Sequence, residues 1–290
     1  MTAVSAPAIA AASAARRGHI IDVLIAERAP RLAASPAWPV LRPMLYAALH
    51  YAKARRMADA IAPLSGHAAM EAVSRLLRLK ATAQGLGRLP AAGRVVIVAN
   101  HPTGIADGVA VYDALKGLRA DLCFYANSDA HRVAPGFDEV LIPVEWVEAK
   151  RTRERTRATL TLTRQAMEAG RALVIFPAGR LARMRDGVLR DPDWMASAVS
   201  IARKYQAPVL PLHVAGPRST LFHLFDKVSS ELRDITLFHE LLNKQGRRYR
   251  LLAGPLIAPR ALEGDAGEVS AALKRYIEEM LVSSPDRPFA

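Results

Sequence analysis

A histidine and an aspartate six positions apart, His101 and Asp107, stand where the buried-type run Val95-Val96-Ile97-Val98 gives way to Asn100-His101-Pro102-Thr103-Gly104-Ile105-Ala106-Asp107-Gly108. An imidazole whose Nδ1–H is held by a carboxylate keeps one tautomer and leaves Nε2 free to take a proton. The same carboxylate stabilises the imidazolium that forms. In a regular helix, residues six apart lie about 120° from one another at 3.6 residues per turn, and the two side chains would not meet. Pro102 and Gly104 bend the intervening chain and remove that objection. Each residue has a plainer use. Strand-end histidines satisfy local hydrogen bonds, and a first-turn acid is favoured by the helix dipole. The succession of buried strand, His, Pro, Gly, Asp and Gly favours the chemical pairing over either plain use. No serine stands in a nucleophile-elbow context, so the nucleophile expected is the substrate's own hydroxyl.

Two further stretches end apolar runs in the same way. Ala172-Leu173-Val174-Ile175 leads into Phe176-Pro177-Ala178-Gly179-Arg180, with Arg183 and Arg185 beyond it. Backbone N–H groups at such a turn, flanked by guanidinium groups, suit a phosphate; a solvated basic loop has the same composition. Val209-Leu210-Pro211-Leu212-His213-Val214 delivers Gly216 and Arg218 to a strand end, and Ser219 is placed to cap a helix over 220–228. His213, in mid-strand, reads as a structural core histidine. The basic run Lys150–Arg157 reads as a solvated helix start, or as a face for lipid head groups or an acidic carrier protein.

The elements that must position these residues alternate. Apolar runs at 95–98, 122–125, 141–146, 173–176 and 209–214 read as strands. Helical stretches at 155–169 and 193–205 lie between some of them. The alternation predicts an α/β fold, a mostly parallel central sheet flanked by helices. A late strand is expected over 249–257 and a C-terminal helix over 269–281. Ahead of the sheet, 18–88 is expected to be a helical segment. In it Leu41, Leu45, Leu49 and Ala52 share a face, and Lys53, Arg55 and Arg56 follow, as in an amphipathic, basic-ended helix. Residues 1–17 read as a disordered Ala-rich leader, and 89–290 as the α/β domain. The 290-residue chain carries 40 Lys plus Arg against 27 Asp plus Glu, a net charge of +13 that needs an acidic partner. Aromatics at 6% weaken a stacking platform for nucleic acid. One cysteine, Cys123, excludes a disulfide framework and a multi-Cys metal site. No apolar run is long enough to span a bilayer.

The three strand-end stretches, in this order, resemble the glycerolipid acyltransferase family. That family carries a His-x-x-x-x-Asp motif, then a Phe-Pro-Glu-Gly-Thr-Arg-like block, then a Val-Ile-Pro-Val-like block. The similarity covers about residues 90–257. One extra residue separates His101 from Asp107, and the Asn-His-Pro and Asp-Gly flanks look like the hemolysin-like and ornithine-lipid branch. Ala178 stands where the common motif has Glu, and Arg180 where it has Thr. The resemblance implies direct acyl transfer from acyl-CoA or acyl carrier protein to the hydroxyl of a lysolipid of the lysophosphatidate or lyso-ornithine-lipid type. His101 is then the base and Asp107 its orienting acid. Thr103, Gly104, Phe176, Pro177, Gly179, Arg180, Arg183 and Arg218 would form the substrate site. Neither a cofactor nor a metal is expected, because a thioester is already activated. The missing Glu implies a different, more anionic acceptor head group, reduced activity, or a catalytically inactive lipid binder. A membrane-resident acceptor implies peripheral docking on an anionic membrane surface at the cytoplasmic face, through residues around 36–56. Nucleic acid is not an expected partner, since the basic residues are scattered, and a hydrolase lacks its nucleophile.

Overall fold

The computed structural model describes residues 18–145, 152–185 and 188–290; the leader expected over 1–17, the last residue of the 141–146 strand and the first residues of the basic run lie outside them. The described chain opens with α1 (Ile20–Arg28), α2 (Pro30–Ala34), α3 (Trp38–Ala48), α4 (Tyr51–Ile61) and α5 (Gly66–Leu77). Next come β1 (Lys80–Gln84), β2 (Val95–Ala99), α6 (Ile105–Leu115), β3 (Leu122–Asn127), α7 (Asp129–Val133), β4 (Leu141–Val144), α8 (Arg153–Glu168) and β5 (Ala172–Ile175). An antiparallel pair, β6 (Arg183–Arg185) and β7 (Val188–Arg190), precedes α9 (Ser197–Lys204) and β8 (Val209–Ala215). The rest is α10 (Thr220–Val228), α11 (Ser230–Asp234), α12 (Leu237–Leu242), β9 (Arg248–Ala253), α13 (Ala266–Arg275), a π turn over Tyr276–Met280 and α14 (Leu281–Ser283).

The sheet runs β1-β9-β8-β2-β5-β3-β4. From β8 to β4 all neighbours are parallel; β9 joins β8 antiparallel and carries β1 parallel to itself. The continuous apolar strands are explained by cover on both faces. Val95, Ile97 and Ala99 of β2 point into one core beneath α6 and the N-terminal helices. Val96 and Val98 point into a second core beneath α9, α13 and the π turn. The expected α/β class and mostly parallel sheet are therefore what the chain forms.

Several boundaries differ from the expectation. β1 falls inside the segment read as helical, because Lys-Ala-Thr-Ala-Gln carries little strand signal of its own and is recruited by pairing with β9. Ile21, Leu24, Met57, Ile61, Met70 and Leu77 share one core with Ile97, Val111 and Leu115, so the N-terminal helices and the α/β region are built around a common interior. The amphipathic helix expected to run through 41–56 is broken at His50, whose φ of 57° puts it in the left-handed region, giving α3 and α4. The helix expected from 193 begins only at Ser197, because Asp191 and Trp194 are held in a loop at the site. The last helix starts earlier than expected, where Asp265 caps the N–H groups of Gly267 and Glu268.

Candidate active site

Parallel neighbours present their C-terminal ends on one edge, so adjacency of β8, β2 and β5 brings the three singled-out stretches together. Asn100, at the end of β2, is buried and fixes that edge. Its amide accepts from Val214 N at 2.7 Å and donates to Val214 O at 2.9 Å, clamping the loop to β8.

Helix α6 begins only at Ile105, and the chain turns at Gly104 with φ 89° and ψ −144°, a conformation reserved for glycine; a Cβ there would also press on the Leu181 side chain at 3.0 Å. That turn puts Asp107 in the first turn of α6 with its carboxylate pointing back. Asp107 Oδ2 accepts from Thr103 N at 2.8 Å and Gly104 N at 3.0 Å, and Oδ1 accepts from Thr103 Oγ1 at 2.6 Å. His101 Nδ1 lies 3.0 Å from Asp107 Oδ2, with Asp107 fully buried and His101 about one-sixth exposed. The spacing is that of a hydrogen bond, but the ring is not turned to aim Nδ1–H at the oxygen, and buried Nδ1 has no aligned partner among the described residues. Such bonds commonly tighten only when substrate engages the other ring nitrogen. Asp107 is the helix-start acid of the plain reading, and its Oδ2 also lies beside the His101 imidazole.

Thr103 is turned inward rather than toward a substrate. Because its hydroxyl proton goes to Asp107, the 2.7 Å contact with Tyr249 Oη must be donated by the tyrosine. Burial, then the charge of Asp107, pushes the Tyr249 phenol well above its ordinary value, which keeps it a donor. A chain Tyr249–Thr103–Asp107 thus steadies the carboxylate beside His101. It closes only because Gly216 has no side chain: a Cβ there would lie 2.6 Å from Tyr249 Cε1 and 2.7 Å from Thr103 Cγ2.

The β5 end packs against the same imidazole. The Phe176 ring sits 4.5 Å from His101, and Ala182 N donates to His101 O at 3.1 Å. Pro177 is buried and its carbonyl accepts from Met195 N. Gly179, at φ 61°, uses its own N–H within the turn on Phe176 O, whereas the N–H groups of Ala178 and Arg180 donate to no described residue. Arg180 and Arg218 are exposed and Arg183 is half-exposed, and none of the three pairs with a described residue. His213, expected to be a core histidine, is partly buried in mid-strand between buried neighbours. Its Nδ1 lies 3.0 Å from Ile277 O, and burial holds its pKa below the usual value.

One carboxylate at the site, Asp191, is not among the residues singled out in the sequence; it stands directly before Pro192. Asp191 is buried and accepts from His101 N with both oxygens, at 3.1 and 3.0 Å, and from Trp194 Nε1 at 2.9 Å. Its own N–H donates to Glu278. Burial pushes its pKa from 3.8 up to about 7, against the pull of the Trp194 hydrogen bond and the His101 imidazole. A raised carboxylate pKa means that the folded state keeps a proton the unfolded chain has released. Folding stability therefore falls as pH rises from about 4 through about 7. Asp191→Asn is expected to lack that component of the slope. Chemical denaturation near pH 5 and pH 8 checks it, and identical pH dependence in parent and variant would refute the assignment.

A family model described as Acyltransferase matches residues 80–215. A lyso-glycine lipid O-acyltransferase of Phocaeicola vulgatus is 26% identical over 195 residues, covering 64% of this chain and 67% of that protein. A lyso-glycine lipid O-acyltransferase of Bacteroides thetaiotaomicron is 25% identical over 163 residues, 56% of this chain and 58% of its own length. The crystal structure of the 1-acyl-sn-glycerophosphate acyltransferase PlsC from Thermotoga maritima aligns over 73% of this chain and 79% of that one, at 16% identity and a TM-score of 0.46. The matched segment spans β1 to the end of β8 and encloses the His101–Asp107 pair, and with the lipid O-acyltransferase relatives it supports an acyltransferase of the glycerolipid type.

Proposed function

We propose that the protein moves a fatty acyl group from a thioester, acyl-CoA or acyl carrier protein, to the hydroxyl of a lysolipid. The observation that carries this reading is His101 Nδ1 at 3.0 Å from a buried Asp107 carboxylate at a strand-end edge. Nε2 removes the hydroxyl proton as the oxygen attacks the thioester carbonyl. The C–S bond then breaks and the imidazolium returns the proton to the leaving thiolate. The unengaged N–H groups of Ala178 and Arg180 suit the developing oxyanion. Arg180, Arg183 and Arg218 follow the same strand ends and suit an anionic acceptor. A carboxylate-bearing head group, as in the lysolipids named for the relatives, fits three cations and the absence of Glu at Ala178. The test is a purified assay with radiolabelled acyl thioester and a panel of lysolipids. Diacyl product is expected, and no product across the panel would leave a lipid-binding protein instead.

Access to such an acceptor requires a membrane surface. Among the described residues no helix is long and apolar enough to cross a membrane. α3 buries none of its residues fully and exposes Val40 at 71% and Met44 at 68%, while α10 exposes Val228 at 70%. These residues support peripheral docking, aided by the positive charge, and the side proposed is the cytoplasmic face. Val40→Asp combined with Met44→Asp is expected to lower co-sedimentation with anionic vesicles about tenfold or more while leaving the thermal midpoint unchanged. Equal vesicle binding by parent and double variant would remove α3 from the docking surface.

A further inference from the structure

The reversed edge of the sheet carries positive charge that the acyl-transfer chemistry does not use. Along β9, Tyr249 and Leu251 are buried on one face, so Arg248 and Arg250, both exposed, stand on the other. Lys80 of β1 is the registered neighbour of Arg248, and Thr82 that of Arg250. Neighbouring strands lie about 4.8 Å apart, which holds these cations side by side where they repel. No described residue pairs with the side chain of Lys80, Arg248 or Arg250, and among the residues lining the basin of about 540 Å³ that they form there is no carboxylate. A chain that keeps such a cluster uncompensated destabilises its own edge, and an anionic ligand relieves it.

The basin's position narrows the ligand. Ala215, Gly216 and Pro217, the chain leaving β8, form its other wall, so it opens at the same edge as the catalytic pair. Tyr249, between the two arginines, points through the sheet onto Thr103. The apolar helices α3 and α10 pack on the core that contains Tyr249, through Tyr46 and Phe225 among others. Arg248 and Arg250 therefore face away from the surface suited to lipid, toward water. Guanidinium groups bind phosphate oxygens in a two-pronged fork, and adjacent cations suit more than one phosphate charge.

We infer that this basin holds the phosphate groups of the thioester's carrier, whether coenzyme A or the phosphopantetheine arm of a carrier protein. The inference rests on the acyl-transfer reading for its ligand but is tested without turnover. Calorimetric titration with free coenzyme A, and separately with a phosphopantetheinylated carrier protein, is run on the full chain and on Arg248→Ala/Arg250→Ala. Lost charge-assisted hydrogen bonds predict binding weaker by about tenfold or more for at least one carrier. The apparent KM for the acyl donor is expected to rise correspondingly, and that for the lysolipid to stay at its parent value. The thermal midpoint of the variant should hold or rise, because repulsion is removed. His101→Ala should bind the carrier as the parent does. Loss of acyl transfer with carrier binding intact thus bears on the reaction, whereas loss of carrier binding in the arginine variant bears on the basin. A parent that binds neither carrier, or a variant that binds both as the parent does, overturns the assignment.

Discussion

His101→Ala is expected to lower acyl transfer by about 10²–10⁴-fold, the usual worth of a general base, with little change in folding stability. The imidazole Nδ1 lies 3.0 Å from Asp107 Oδ2, and its ring contact is a tilted stack on Phe176. The hydrogen bonds that place the loop use its backbone, the N–H to Asp191 and the carbonyl from Ala182, which alanine retains. Turnover and denaturant midpoint together decide the matter. A purified variant with parental turnover would end the assignment of His101 as base. A variant that failed to fold would contradict the purely chemical role given to the side chain.

Asp107→Asn is expected to reduce activity to a similar degree and, unlike the histidine change, to destabilise the protein. The carboxylate faces three donors, Thr103 N, Gly104 N and Thr103 Oγ1, besides the imidazole. An amide has one acceptor oxygen. With its NH₂ toward Thr103 N and Gly104 N it confronts two donors; with its NH₂ toward Thr103 Oγ1 it reverses that hydroxyl and leaves the Tyr249 O–H without its acceptor. Each donor left unsatisfied costs about 1–3 kcal/mol. Because His101 and Asp107 act as a unit, the double variant is expected to be about as impaired in turnover as His101→Ala alone. Multiplicative losses in kcat would show that Asp107 works independently of the imidazole.

The two experiments also separate roles that share one loop. His101 is held by its backbone, which leaves its side chain to the proposed chemistry, whereas Asp107 holds the backbone through its side chain. Asp191 completes the arrangement from the other side, since it anchors the His101 N–H while Trp194 anchors it in turn. The His101 ring is thus held between two buried carboxylates, one beside the ring and one on the main chain.

The features legible in the residues alone rest on local signals. Apolar runs without alternation, such as Val95-Val96-Ile97-Val98, require cover on both faces, which implies a parallel sheet with helices on each side. Pro102 and Gly104 beside His101 and Asp107 mark a bent strand end, and the bend is what brings the pair to 3.0 Å. Only the tertiary structure decided the supporting shell. Tyr249 and Asp191 lie 148 and 90 positions from His101 in sequence. They reach the site because β9 pairs with β8 and because the segment before α9 packs under β2. Nothing in the residues around either one records those pairings. The same holds for β1, a strand made by its partner more than by its own composition, and for the cations that its pairing with β9 sets side by side. Periodicity reports which face of an element is covered; which distant polar group completes a buried hydrogen bond depends on long-range packing, and that is fixed only when the whole chain has folded.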